Sequence, residues 1–248
     1  MDTHETTIFT AILITSIVLG AVIAFFFISI IRHQRRNQEL YKSKILAEIT
    51  TLENERKRTA ADLHDELGPI LSAVKFQINS LDLETEEDRQ NLEKANNNID
   101  EIIRRMRGIA NDLMPNTLVR KGLIAAMRAS VEAINKSNNI NIEFICSDLP
   151  DFDENKSINL YRILQEVIHN TIKHSKASLL KIELKRENRN LLVLTEDNGI
   201  GFDYAAESRE EAGLGLRNLL SRTEVLEGSM YVDSKPGKGT KFTFEIPI

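Results

Sequence analysis

Four short groups of residues combine reactive side chains with unusual backbone freedom. The first is His64-Asp65. A carboxylate that accepts from one imidazole nitrogen fixes the tautomer and leaves the other nitrogen as a nucleophile. Adjacent residues on a helix do not face one another well, so this contact needs a particular rotamer pair. Gly68 removes side-chain bulk one turn on, and Pro69 has no N–H for the carbonyl of Asp65, so a helix here should bend or loosen just past the histidine. The second group, Glu166, Asn170, Lys173 and His174, falls on one helical face opposite Leu164, Ile168 and Ile172. That face is either simply solvated, or it offers hard oxygens to Mg²⁺ beside a cation for phosphate. The third, Asp197-Asn198-Gly199-Ile200-Gly201, directly follows an apolar alternating run. A carboxylate at a strand end can accept from an exocyclic amine, and flanking glycines let a flat ring approach the backbone. The fourth, Gly213-Leu214-Gly215, opens a helix whose free N–H groups and positive dipole end suit phosphates. In this order the polar helix and the two glycine clusters describe an ATP pocket.

The elements that must position these groups follow from periodicity. Residues 37–82 carry helix-spaced apolar residues (Leu63, Leu67, Ile70 or Leu71, Val74, Ile78, Leu81), with Gly68-Pro69 as the one helix-breaking signal. A polar stretch, Asp82 to Asp88, leads to a second stripe running from Leu92 through Ile99, Ile102, Met106 and Ile109 to Leu113, closed by Pro115. Two such stripes predict an antiparallel hairpin, and their length predicts a homodimeric four-helix bundle to bury them. Beyond Pro115, Leu123, Met127, Val131 and Ile134 mark a helix, and Ile140, Ile142, Phe144 and Cys146 alternate as a strand with Cys146 on its core face. A helix over about 154–174, strands near 179–186 and 190–197, a helix over about 216–226, and strands near 229–234 and 240–246 complete the pattern. The fold class is therefore α+β, with helices layered on one mixed or antiparallel sheet. The acidic segment from Phe202 to Ala212 has no regular period and suits a mobile lid.

Composition sets the outer limits. The 248 residues are 42% hydrophobic and 28% charged, which excludes a disordered or collagen-like chain, and a lone cysteine excludes an internal disulfide. The net charge of −5 conceals an asymmetry: residues 32–58 sum to +4 and residues 59–248 to −7. No domain-wide basic surface argues for direct nucleic-acid binding. Ile8 to Ile31 is a run of 24 residues without a charge, long enough to cross the ~30 Å hydrocarbon layer. Its positive flank (Arg32, Arg35, Arg36) follows rather than precedes it, unlike a cleaved signal peptide. The positive-inside rule then predicts a single pass, with the N-terminus outside and residues 32–248 in the cytoplasm. The few residues expected outside are too few for a ligand-binding domain. Between anchor and histidine, Leu40, Ile45, Ile49 and Leu52 could form a parallel coiled coil, and the basic cluster could contact anionic lipid.

At these positions the chain resembles a bacterial sensor histidine kinase with an ATPase domain of the GHKL, or Bergerat, type. The N-box pattern is Glu166, Asn170, Lys173 and His174, and the two glycine boxes are Asp197–Gly201 and Gly213-Leu214-Gly215-Leu216-Arg217-Asn218. Pro236-Gly237-Lys238-Gly239-Thr240 is similar to the family's C-terminal signature. Glu55-Arg56 and Leu63-His64-Asp65-Glu66-Leu67 resemble the phosphotransfer helix of the subfamily paired with helix-turn-helix response regulators. The resemblance covers about 52–248, which leaves out the anchor, and implies a dimerisation and phosphotransfer hairpin at 59–115 and a catalytic ATP-binding α/β sandwich at 120–248. Hydropathy and periodicity place the transmembrane helix at 8–31 and a helical linker at 32–58 ahead of them. The resemblance also implies autophosphorylation. His64 would attack the γ-phosphate of ATP with Asp65 orienting it, and the phosphoryl group would pass to an aspartate of a cytoplasmic response regulator. Adenine would lie against Asp197, within the box of Gly199 and Gly201. Mg²⁺ would lie on Asn170, and the phosphates near Lys173, His174, Gly213 and Gly215, with Thr240 a further contact. Glu166 would polarise His64 or help hold the metal. Glutamine commonly stands five residues after the histidine, where it is linked to regulator dephosphorylation; here it is Pro69, which puts that activity in doubt. A second membrane protein is a candidate source of the signal. Other GHKL ATPases lack a phosphorylatable histidine on a preceding hairpin, and a decayed scaffold would have lost Asn170, Asp197 or the glycines.

Overall fold

The computed structural model describes residues 3–81, 85–137, 140–147, 149–204 and 213–248, without the side chains of 3–12, 14–18 and 214. The chain divides into two compact units, Met1–Glu48 and Ile49–Ile248. Helix α1 covers Thr3–Asp62. The expected membrane span, 8–31, falls in part (8–12 and 14–18) on side chains outside the described set. Among the described residues no helix is long and apolar enough to cross a membrane.

In the second unit α1 passes into a π turn, Leu63–Leu67, and then into α2, Gly68–Asn79. The loosening expected past the histidine therefore takes the form of a widened turn that includes it. Pro69 stands at the start of α2, where its missing N–H is tolerated. Helix α3, Glu86–Leu113, begins on Thr85, whose hydroxyl accepts from the Asp88 amide at 3.0 Å. Lys75 pairs with Asp100 (2.6 and 2.8 Å), and Asn79 and Asn96 exchange amide hydrogen bonds, which sets α2 against α3. Much of the apolar stripe remains exposed in the single chain, including Leu67, Ile70, Val74, Ile102 and Ile109.

Helix α4, Asn116–Ser137, is kinked at Gly122, whose φ of 77° the periodicity does not reveal. Then follow β1 (Asn141–Cys146), α5 (Glu154–Asn170, capped by Asp153), a π turn at Thr171–Ser175, β2 (Leu179–Glu187), β3 (Asn190–Asp197), α6 (Leu214–Val225), β4 (Ser229–Ser234) and β5 (Thr240–Pro247). The sheet order is β1-β2-β3-β5-β4, with β1 and β2 parallel and the other pairs antiparallel. Alternate residues (Leu180, Ile182 and Leu184; Leu191 and Val193; Phe242, Phe244 and Ile246) are buried against α4, α5 and α6. Among the described residues the other face of the sheet carries no helix layer, which makes the described domain a two-layer sandwich. Cys146 is half-buried at the margin of this core, less enclosed than its alternation suggests, because β1 is an edge strand. The Phe202–Ala212 lid segment lies, from residue 205 onward, outside the described residues, as do residues 82–84 of the hairpin loop.

Candidate active site

Asp197 ends β3 between Leu180 of β2 and Thr240 of β5. Being on the inward face, it is buried, and burial raises its carboxyl pKa against the opposing backbone N–H groups of Gly199 and Thr240. The Gly199 amide donates to Oδ1 at 2.8 Å. A side chain at Gly199 would strike the carbonyl of Ser175, so this glycine lets the loop after β3 close on the π turn after α5. Gly201 has φ of 61°, and a Cβ there would strike the carbonyl of Lys235.

A cavity of about 470 Å³ opens between these parts. The end of α5 and its π turn contribute Asn170, Thr171, His174 and Ser175, and the loop after β3 contributes Ile200, Gly201 and Phe202 beside Asp197. Gly213, Gly215 and Leu216 come from the start of α6, and Thr240 and Phe242 from β5. Thr240 shares a hydroxyl contact with Ser234 (3.0 Å), and Ser234 in turn accepts from the Phe202 amide (2.9 Å). Among the described residues the N-terminus of α6 has no side-chain cap, and its first N–H groups suit an anion.

Seven of the expected positions thus meet in one cavity: Asn170, His174, Asp197, Gly201, Gly213, Gly215 and Thr240. Gly199 supports it from behind. Lys173 is exposed and does not line it. Glu166 lies one turn back, accepting from Asn170 Nδ2 at 3.3 Å and standing where a Gly215 side chain would go. It lines a neighbouring cavity instead. Ile172, expected on the core face, is 41% exposed. The π turn rotates it outward and buries Thr171 and Ser175, whose hydroxyls return to the carbonyls of Val167 and Thr171. Ile200 and Leu216 fall within the two glycine motifs, whereas Thr171, Ser175, Phe202 and Phe242 are not marked as site walls by the sequence, since each has an ordinary apolar or capping role.

His64 stands apart on the hairpin. Its Nδ1 lies 2.9 Å from Asp65 Oδ1, with both side chains exposed. The π turn reduces the angular step between neighbouring side chains, which is how two adjacent residues meet. With the proton on Nδ1, Nε2 is the nucleophilic nitrogen. No hairpin residue lines the 470 Å³ cavity.

Two family descriptions match this chain: "Histidine kinase" over residues 55–118, and "Histidine kinase-, DNA gyrase B-, and HSP90-like ATPase" over residues 155–248. They define its class as a histidine kinase hairpin followed by a GHKL-type ATPase domain. The oxygen sensor histidine kinase NreB of Staphylococcus carnosus (strain TM300) is 27% identical over 218 residues, 86% of this chain and 62% of that protein. The sensor histidine kinase MctS of Rhizobium johnstonii (strain DSM 114642 / LMG 32736 / 3841) is 30% identical over 226 residues, 87% of this chain and 48% of that protein. The chain therefore spans about half to three-fifths of the length of these relatives. Among solved structures, the histidine kinase domain of the Erythrobacter litoralis EL346 blue-light activated histidine kinase is 18% identical with a TM-score of 0.49, over 79% of this chain and 93% of that one. The chain belongs to the sensor histidine kinase family of two-component systems.

Proposed function

We propose that this chain is an ATP-dependent protein histidine kinase that phosphorylates itself on His64 and passes the phosphoryl group to an aspartate of a response regulator, with helix-turn-helix output as the favoured type. The observation that carries this reading is the cavity in which Asp197, the Gly201 turn, Asn170 and the uncapped start of α6 converge. Asp197 accepts from the exocyclic amine of adenine, and Gly199 and Gly201 let the loop after β3 pack against Ser175 and Lys235, which holds the cavity wall beside it. The N–H groups at Gly213 and Gly215 receive phosphate oxygens, with Lys173 and His174 adding charge from α5 and Thr240 a hydroxyl.

The donor set suits Mg²⁺ held largely by substrate. Among the described residues no cluster of three or more His, Cys, Asp or Glu could hold a metal alone. Asn170 donates from Nδ2 to Glu166, which leaves Oδ1 as a hard oxygen beside the phosphate end. Magnesium bound by one protein oxygen, phosphates and water would neutralise charge on the transferring group. His64 Nε2 attacks the γ-phosphorus, the bond to the β–γ bridging oxygen breaks, and ADP leaves. Asp65 holds the Nδ1 proton and stabilises the positive charge the ring acquires. Glu166 acts on His64 or supports the metal through Asn170. Pro69 supplies no side-chain amide, so kinase activity rather than regulator dephosphorylation is assigned.

The uncharged run 8–31 anchors the chain in the bacterial cytoplasmic membrane, with the kinase in the cytoplasm, and the exposed hairpin stripe pairs in a homodimer. The test is incubation of the full chain in lipid nanodiscs with γ-labelled ATP and Mg²⁺. The expected label is acid-labile and alkali-stable and disappears in His64→Ala. Label that survives that substitution overturns the assignment of His64, and no label from an ATP-binding wild type overturns the kinase reading.

A further inference from the structure

Three charged side chains far apart in sequence meet within the second unit. Glu53 of α1 accepts from Arg162 of α5 through Nε and Nη2, both at 3.1 Å, and from Arg222 of α6 at 2.6 Å. Their side chains are only 10%, 6% and 8% exposed. Arg162 also donates to the carbonyls of Asp112 and Leu113 at the end of α3, and Arg222 donates to Asn159. One carboxylate thus ties the helix leading to His64 to two helices of the sheet domain. Lys57 and Glu154, an exposed pair at 2.9 Å, add a second tie one turn along α1.

What surrounds these ties is not a packed apolar seam. A cavity of about 720 Å³ opens there, and Leu52, Ile109 and Ile172 on its walls are 47%, 55% and 41% exposed. The attraction within a buried ion pair is largely offset by the cost of removing its charges from water, while its geometry tolerates a single register. A contact built this way closes specifically and opens cheaply. In the closed state His64 is exposed and lines neither cavity, and the candidate nucleotide cavity takes all its walls from residues 170–242.

We propose that Glu53, Arg162 and Arg222 form a releasable latch that docks the ATP-binding domain away from His64, so that displacement of α1 must open it before phosphoryl transfer; this rests on the kinase reading above. Glu53 precedes His64 by 11 residues, about three helical turns, so both lie on nearly one side of the helix. A rotation of α1 that withdraws Glu53 also re-aims the histidine. Opening exposes the two arginines to water, which solvates them, so release does not leave stranded buried charge.

The experiment compares wild type, Glu53→Gln and Lys57→Glu as full chains in nanodiscs. It reads the rate of His64 labelling at saturating ATP, and hydrogen–deuterium exchange without nucleotide. Glu53→Gln is expected to label at least threefold faster, with faster exchange confined to the α1-facing parts of α5 and α6. Lys57→Glu, which repels Glu154 without touching the buried arginines, is expected to shift both readouts the same way by less. Equal or slower labelling in Glu53→Gln with ATP binding retained overturns the latch. If Glu53→Gln exchanges faster throughout the sheet, the domain has unfolded and Lys57→Glu decides, unchanged labelling there overturning the proposal. Absence of label in wild type counts against the kinase reading instead, and unchanged exchange in α5 and α6 then overturns the latch independently.

Discussion

At Asp197 the burial that sets the carboxylate into the proposed nucleotide cavity also works against its charge. Its pKa is raised in the fold, so its contribution to stability is fully present below the ordinary carboxylate range and is lost as pH rises through the raised value. Above that value the protein bears the whole penalty of the buried charge. Asp197→Asn removes the charge yet keeps an oxygen to accept from Gly199. The substituted protein without nucleotide should melt higher than wild type at pH 7, with the gap shrinking as pH falls into the carboxylate range. Its ATP affinity should drop by roughly ten- to a hundredfold, the worth of a hydrogen bond to a charged group. Thermal melts across pH and nucleotide titration check both, and an unaltered affinity would remove Asp197 from the recognition role. The His64–Asp65 contact was legible from adjacency alone, but the π turn that permits it was not, because the sequence signals only that Pro69 withholds a donor.

At the scale of elements, α5 lies close to the start of α6: a side chain at Gly215 would displace the Glu166 carboxylate and crowd Asn170. Strand β3 shows the opposite case, a side chain without its complement. Thr195 is buried two residues before Asp197, and its hydroxyl is, among the described residues, a buried side-chain oxygen without a hydrogen-bond partner. Thr195→Val keeps the shape and removes the oxygen, so stability should rise by about 1–2 kcal/mol; a lower denaturation midpoint would show that this hydroxyl is used. The strands were legible because alternation in β2, β3 and β5 is strict on the covered face. The kink at Gly122 and the outward turn of Ile172 were not, since a glycine or an isoleucine in a helical period carries no mark of either. Arg162 and Arg222 were passed over for another reason. Their shared partner Glu53 lies 109 and 169 residues away, and no local pattern reports a charge neutralised at that distance.

The whole molecule leaves a stripe of the hairpin uncovered, and a second copy is the proposed cover. Ile102 is 49% exposed and Val74 39%, both away from the Glu53 contact. Ile102→Glu combined with Val74→Glu should convert the detergent-solubilised chain from dimer to monomer by light scattering while each chain stays folded by circular dichroism. A dimer that persists would place the interface elsewhere. The proposed ATP cavity was legible in outline because its motifs fall at strand and helix ends. The arrangement of domains was not, because it depends on side chains meeting across the fold. Helix α5 joins the two, since Arg162, Glu166 and Asn170 succeed one another at intervals of four along it. The first grips α1 and the third faces the nucleotide cavity. Whatever free energy passes along this row obeys reciprocity: if moving α1 alters ATP affinity by some factor, ATP alters the preference of α1 by the same factor. The nucleotide would then be an effector as well as a phosphoryl donor, and its concentration in the cell would help set how large a displacement of α1 the protein answers.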